Sequence, residues 1–163
     1  MLRECEAFYE SELDDCLLLY DQAVRSYVAG LAYFRLYRYS RDLTWFHRGQ
    51  KRTREMQHWA EQGSSFNFEH RFRLMKAEEQ YCSGEYESAK QSYKSAISMA
   101  KTHYHLADEA IGCELYGKFF LATGNITSSL DYFTLAHEKF VEYGAVAKAT
   151  QLFAYIKDSL SLG

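Results

Sequence analysis

Three short constellations in this sequence hold residue types that could do chemistry. Tyr116-Gly117-Lys118-Phe119 contains the Gly-Lys pair of a phosphate-binding loop. It lacks the upstream glycine at the required spacing and the Ser or Thr that should follow. His137-Glu138 sets an acid beside a histidine, as a phosphoacceptor site would. No proline follows, and the pair falls inside a helical pattern, so a surface or groove histidine is expected. His103 and His105, with Asp108 and Glu109 nearby, could be assembled into a metal site. One short His pair without matched spacing elsewhere is weak metal chemistry. Polar residues at a helix junction, with an acid pair at a helix N-terminus, explain it more simply. Cys5, Cys16, Cys82 and Cys113 form no C-x-x-C. The last three fall on apolar stripes, where a free thiol behaves as a small core residue. No catalytic, cofactor-binding or metal-binding residue is expected, and no enzyme.

The elements around these residues read as helices throughout. The chain has 163 residues, 47% of them apolar and 17% aromatic, with 14 Tyr and 11 Phe. That supports one globular domain with a real core. Proline is absent, where average usage would give roughly eight, and its absence suits long uninterrupted helices. Leu13, Leu17, Tyr20, Val24, Tyr27, Leu31 and Phe34 recur at steps of four and three. They predict one helix over 12–39, opened by a capping arrangement at Ser11-Glu12-Leu13-Asp14. Ser40-Arg41-Asp42 breaks it, with Asp42 as the next cap. A second helix over 43–62 ends at Gly63-Ser64-Ser65. Further helices follow, stopped at Gly84, Gly124 and Gly144, and a closing helix carries Val146, Ala149, Leu152, Phe153 and Ile156.

Gly84 and Gly124 stand 40 residues apart, and at the same offset Tyr86 answers to Ile126, Ala89 to Ser129, Tyr93 to Phe133 and Ala96 to Ala136. A turn glycine lets the chain reverse, small residues let two helices approach, and a ring fills the groove between them. This pattern resembles the second half of the tetratricopeptide repeat. Tyr116-Gly117 and Phe120 match the Leu-Gly and Tyr positions of that repeat's first helix. The period here is 40 residues against about 34 in that family, no terminal proline is present, and Ala77 replaces the glycine of the first copy. The resemblance implies an all-α fold of antiparallel helix hairpins stacked as a short right-handed solenoid. The single domain 1–163 then divides into a long helix pair (12–62), a first repeat (66–103), a second repeat (105–143) and a capping helix (145–160).

A narrower resemblance covers about residues 30–158. It rests on Met56-Gln57-His58-Trp59-Ala60, Asn67-Phe68-Glu69-His70-Arg71-Phe72, Ala77-Glu78, Gly84-Glu85-Tyr86 and Ala110. It continues through Glu114-Leu115-Tyr116-Gly117-Lys118-Phe119-Phe120, Gly124-Asn125, Ala136-His137 and Tyr143-Gly144-Ala145-Val146-Ala147-Lys148-Ala149. In this order they look like the helical segment of large multidomain signalling kinases. Those proteins join a serine/threonine-kinase-like domain and a STAND-type ATPase to such a segment, followed by sensor and histidine-kinase modules. The catalytic residues of those proteins lie outside the matching region, so none carries over. The resemblance implies a non-catalytic interaction or scaffold module of a signalling system, or a regulatory helical segment of an ATPase or kinase, inactive alone.

The partner surfaces follow from repeat position and charge. First helices line the concave side of such a solenoid. This makes Arg71, Leu74, Glu78, Tyr81, Ile111, Glu114, Lys118 and Leu121 the candidate groove for a protein or peptide, expected to be a kinase or ATPase module. Net charge is only −3, but residues 25–76 hold eleven basic and four acidic side chains between acidic ends. Arg38, Arg41, Arg48, Lys51, Arg52 and Arg54 are the candidate basic docking face for an acidic protein, against a simply solvated face as the plainer reading. Aromatic residues among them admit a nucleic-acid reading, but most of those rings are needed in the core, and a pI of about 6.1 argues against it. No cofactor is expected. The apolar runs fall far short of the ~20 residues of a membrane span, and unpaired cysteines without a secretory leader predict a cytoplasmic setting. Ends at residues 1–12 or 145–163 could support dimerisation, and the oligomeric state is left open.

Overall fold

Helix ends set the architecture. A computed structural model describes the backbone of residues 15–161 and the side chains of residues 20–159. The expected cap at Ser11–Asp14 and the 1–12 end lie outside these residues. Within them every element is helical and there is no strand: α1 (Asp15–Ser40), α2 (Leu43–His58), a π turn (Trp59–Gly63), α3 (Ser65–Cys82), α4 (Tyr86–Thr102), α5 (Leu106–Ala122), α6 (Ile126–Glu142) and α7 (Val146–Ser161). Asp42 caps α2, its carboxylate accepting from the Thr44 N–H at 2.8 Å. The expected α-helix over 43–62 does not stay α to its end. Its last turn widens into the π turn, where Trp59 packs 6.2 Å from the Phe68 ring of α3. The Ser64 side chain then caps α3 through the Asn67 N–H.

From residue 86 onward the helices start every 20 residues, at 86, 106, 126 and 146. A three-residue turn precedes each, and its middle residue has positive φ: +80° at Gly84, 58° at Tyr104, +81° at Gly124 and +86° at Gly144. In each turn the third N–H reaches five residues back, for example Glu85 to the Gln80 carbonyl at 2.9 Å and His105 to the Ala100 carbonyl at 2.8 Å. This closure satisfies carbonyls that the helix end would otherwise strand. The 40-residue spacing of Gly84 and Gly124 is therefore two steps of one 20-residue pitch, with Tyr104 standing where a fourth glycine belongs. Tyr104 is 92% exposed, so no packing repays its left-handed backbone, which costs an L-residue about 1–2 kcal/mol. Tyr104→Gly is expected to raise stability by about 1 kcal/mol after the extra freedom of the unfolded glycine is subtracted. A higher urea midpoint with unchanged slope is the expected readout.

Short reversals make neighbours pack as antiparallel hairpins: α1 with α2, α3 with α4, and α5 with α6, while α7 lies against α6. The core between them forms two clusters: Tyr93, Tyr116 and Phe119 with Met75, Leu74 and Ala77 in one, and Phe133, Phe140, Cys113 and Leu152 in the other, with the half-buried Ile97, Ile111 and Tyr132 packed against both. No residue of α5 from 106 to 121 is exposed. A helix covered around most of its circumference has to sit between other helices. At Gly117 a Cβ would stand 2.7 Å from the Phe133 ring. The ring of α6 therefore lies directly on the α5 backbone, and Ser129 donates to the Gly117 carbonyl at 2.9 Å beside it.

Candidate functional site

Of the eight residues assigned to the groove by repeat position, four are interior. Leu74 is 2% exposed, Glu78 1%, Arg71 9% and Glu114 5%, whereas Tyr81, Ile111, Lys118 and Leu121 are half-buried. A buried carboxylate needs a partner, because removing an ion from water costs several kcal/mol, of order 5. Glu78 of α3 has two. Its carboxylate accepts the Tyr93 phenol of α4 and takes the Arg38 guanidinium of α1 at 2.6 Å. Arg38 lies over the Tyr81 ring, 4.8 Å from its centroid, and reaches the Cys82 sulfur at 3.5 Å. Burial works against the Arg38 charge, but Glu78 more than offsets it and holds the guanidinium above its ordinary pKa. Burial pushes the Cys82 thiol up to about 11 despite Arg38. Glu114 is held in the same way, by Lys118 one turn on and by Lys148 of α7 at 3.0 Å. These carboxylates tie one hairpin to the next, and their charges face each other and not a ligand.

The basic face divides similarly. Arg38 is the half-buried partner of Glu78, and Arg52 bonds Glu55 at 2.8 Å and approaches the Ser26 hydroxyl. Arg41, Arg48, Lys51 and Arg54 are exposed. Arg41 closes α1 with φ 60°, its N–H reaching the Tyr37 carbonyl at 2.8 Å. Along α2, His47, Lys51, Arg54 and His58 are all exposed at steps of four, three and four, which places them on one stripe. Arg48 flanks it, its guanidinium 5.1 Å from the Trp45 ring. Charge counting found the arginines and the lysine; the two histidines needed the helix register to join them.

A third constellation was hidden in the sequence because one member is 35 residues away. His70 of α3 bonds Asp108 of α5, Nε2 to Oδ2 at 2.8 Å, and the same oxygen accepts the Arg71 Nε at 2.9 Å. The His105 ring stacks on His70 at 4.3 Å and 18°, and its Nε2 contacts the Phe66 carbonyl at 3.0 Å. His70, His105 and Asp108 bring ligand-type atoms within 4.8 Å of one another. Protein groups already engage part of this set. Ring-nitrogen lone pairs lie in the ring plane, so two nearly parallel rings aim them along parallel planes, and the Arg71 charge already occupies the Asp108 oxygen. The trio serves as a polar knot pinning α3 to α5. His103 stands beside it, stacked 4.5 Å from Phe66.

The other motif residues take structural places. Gly117 lies under a ring and Lys118 is paired to Glu114. Burial holds the Cys113 thiol near 12, a core group. A recess lined by Tyr86, Glu87, Lys90, Phe119, Phe120, Thr123 and Asn125 has only Glu87 and Lys90 as charged groups, and these pair with each other at 2.6 Å. No family model, curated protein or solved structure matches the chain.

The knot has a pH signature. Burial depresses the His70 pKa below its ordinary 6.5, although Asp108 opposes this. The unfolded chain therefore takes up this proton first as pH falls, and stability drops from about pH 7 downward until the folded histidine also titrates. Asp108 and Glu114 are held below the ordinary carboxylate range by His70 and Arg71, and by the two lysines, against burial. Their contribution is lost only under acid, below about pH 4. Urea midpoints are expected to fall between pH 7.5 and 5.5, less steeply in His70→Gln; equal slopes would remove His70 from this account.

Proposed function

We propose that the chain is a non-catalytic protein–protein interaction module, a short right-handed stack of helix hairpins of the tetratricopeptide kind, acting as a scaffold in a signalling system. One observation carries the reading: three buried carboxylates are engaged in ties between helices, Glu78 to Arg38, Asp108 to Arg71 and Glu114 to Lys148. A surface for gripping is left. The repeated turns at 84 and 124 and the wholly packed α5 support a solenoid, whose faces suit extended partners. The partner class is a kinase or ATPase module, in keeping with the resemblance of residues 30–158 to helical segments of signalling kinases. Titration calorimetry of the purified chain with such domains tests it. Saturable binding is expected, and none at about 50 µM would count against the reading.

A specific observation favours a second reading, in which the chain is a regulatory segment joined to a catalytic domain. Residues of α7 stand 40 positions after those of α5, so Phe153 answers to Cys113. Cys113 is buried, whereas Phe153 is 63% exposed, with Val146 and Tyr155 also exposed. An in-frame kinase or ATPase in the adjacent coding sequence would favour it.

A further inference from the structure

The stripe on α2 carries a cost that the fold does not relieve. Several cations of α3, α4 and α6 pair with a carboxylate three or four residues away, as in Arg73–Glu69 at 2.8 Å, Lys90–Glu87 at 2.6 Å and Lys139–Glu142 at 2.9 Å, although the exposed Lys94 and Lys101 of α4 have none at that spacing. On α2 the neighbours at that spacing are like-charged. Arg48, Lys51 and Arg54 follow one another at steps of three, where repulsion weakens a helix. The one carboxylate in reach of Lys51 by spacing, Glu55, is turned to Arg52 and Ser26 on the other side. No described carboxylate forms a salt bridge with Arg48, Lys51 or Arg54, and only Asp42, at the start of the helix, feels the Arg48 charge.

We propose that this stripe binds an acidic peptide segment of a partner protein, its carboxylates seated on Arg48, Lys51 and Arg54 between His47 and His58. The proposal rests on the interaction-module reading and names the partner's chemistry. From His47 to His58 the helix rises about 16 Å, the span of about five extended residues. Two or three carboxylates at alternate positions along such a stretch match the triad. Nucleic acid fits less well. Stacking platforms are its second requirement, yet Trp45 is stacked on Tyr33 at 5.7 Å and covered by Arg48, and Tyr37 and Phe46 pack on each other at 5.1 Å. The chain is also net negative, −3, so phosphate backbone beyond the stripe would be repelled.

Fluorescence anisotropy of a labelled ten-residue peptide with glutamate at alternate positions tests this, with the intact chain at low and physiological salt. Binding of order 100 µM is expected at low salt, weakening several-fold as salt rises. The R48Q/K51Q/R54Q variant is expected to bind at least tenfold more weakly while melting no lower than the parent. Equal binding by that variant, or no saturation by about 1 mM peptide, overturns the proposal. Tighter binding of single-stranded DNA of the same length at physiological salt overturns the choice of peptide. A kinase or ATPase module that binds parent and variant alike removes the stripe but leaves the module reading standing.

Discussion

Glu78→Ala is expected to destabilise the protein by about 2–4 kcal/mol, somewhat below the cost of stranding a fully buried charge because the guanidinium left behind is half-buried. The stranded group is Arg38, which this carboxylate holds between α1 and α3 at 2.6 Å, and the Tyr93 hydroxyl loses its acceptor at the same time. A loss of that size is a large part of the 5–15 kcal/mol of a typical domain, so urea unfolding should start from a visibly lower midpoint. Removing both charges separates this effect from simple packing. A Glu78→Leu, Arg38→Met, Tyr93→Phe triple variant, which also removes the hydroxyl that would lose its acceptor, is expected to recover most of the loss, because an ion pair replaced by apolar groups of similar volume is often neutral. If the single and multiple variants are equally unstable, the charge network is not what joins α1 to α3.

The second large effect belongs to the close approach of α5 and α6. Phe133→Ala should cost about 3–5 kcal/mol through lost burial and a residual cavity, since this ring is 2% exposed and lies on the Gly117 backbone. Gly117→Ala alone should cost about 1–3 kcal/mol, overpacking outweighing the helix propensity that alanine adds. With the ring gone, the sign reverses. In the Phe133→Ala background, Gly117→Ala is expected to stabilise by up to about 1 kcal/mol, because the methyl group then enters a void and improves an α-helix. Two-state urea curves for the four proteins give this coupling directly.

The helices and their reversals were legible where a residue type has one physical use. Glycine at 84, 124 and 144 announces a left-handed turn, and Asp42 announces a cap. Tyr104 was not legible, because an aromatic side chain carries no signal for positive φ, and so a 20-residue pitch read as 40. The widened turn at Trp59–Gly63 was also hidden, since the Trp59–Phe68 contact that goes with it is tertiary. The site was less readable than the fold. Repeat position placed Glu78 and Glu114 on a lining, but the seam between hairpins takes those positions, and Arg38 and Lys148 reach in from distant helices to neutralise them. Counting charge could not separate Arg38 and Arg52, which are engaged internally, from Arg48, Lys51 and Arg54, which face solvent. His70 gave no sign of its tie to Asp108, because local spacing cannot show a contact 38 residues away.

Backbone carbon chemical shifts of the intact chain, with contacts from the Phe133 ring, test the central claim of stacked hairpins most directly. The account predicts helical shifts over 86–102, 106–122 and 126–142, separated by single left-handed residues at 84, 104, 124 and 144, and a contact from the Phe133 ring to the Gly117 α-protons. Helical shifts running unbroken through Tyr104, or a Gly117 with no aromatic neighbour, would contradict it.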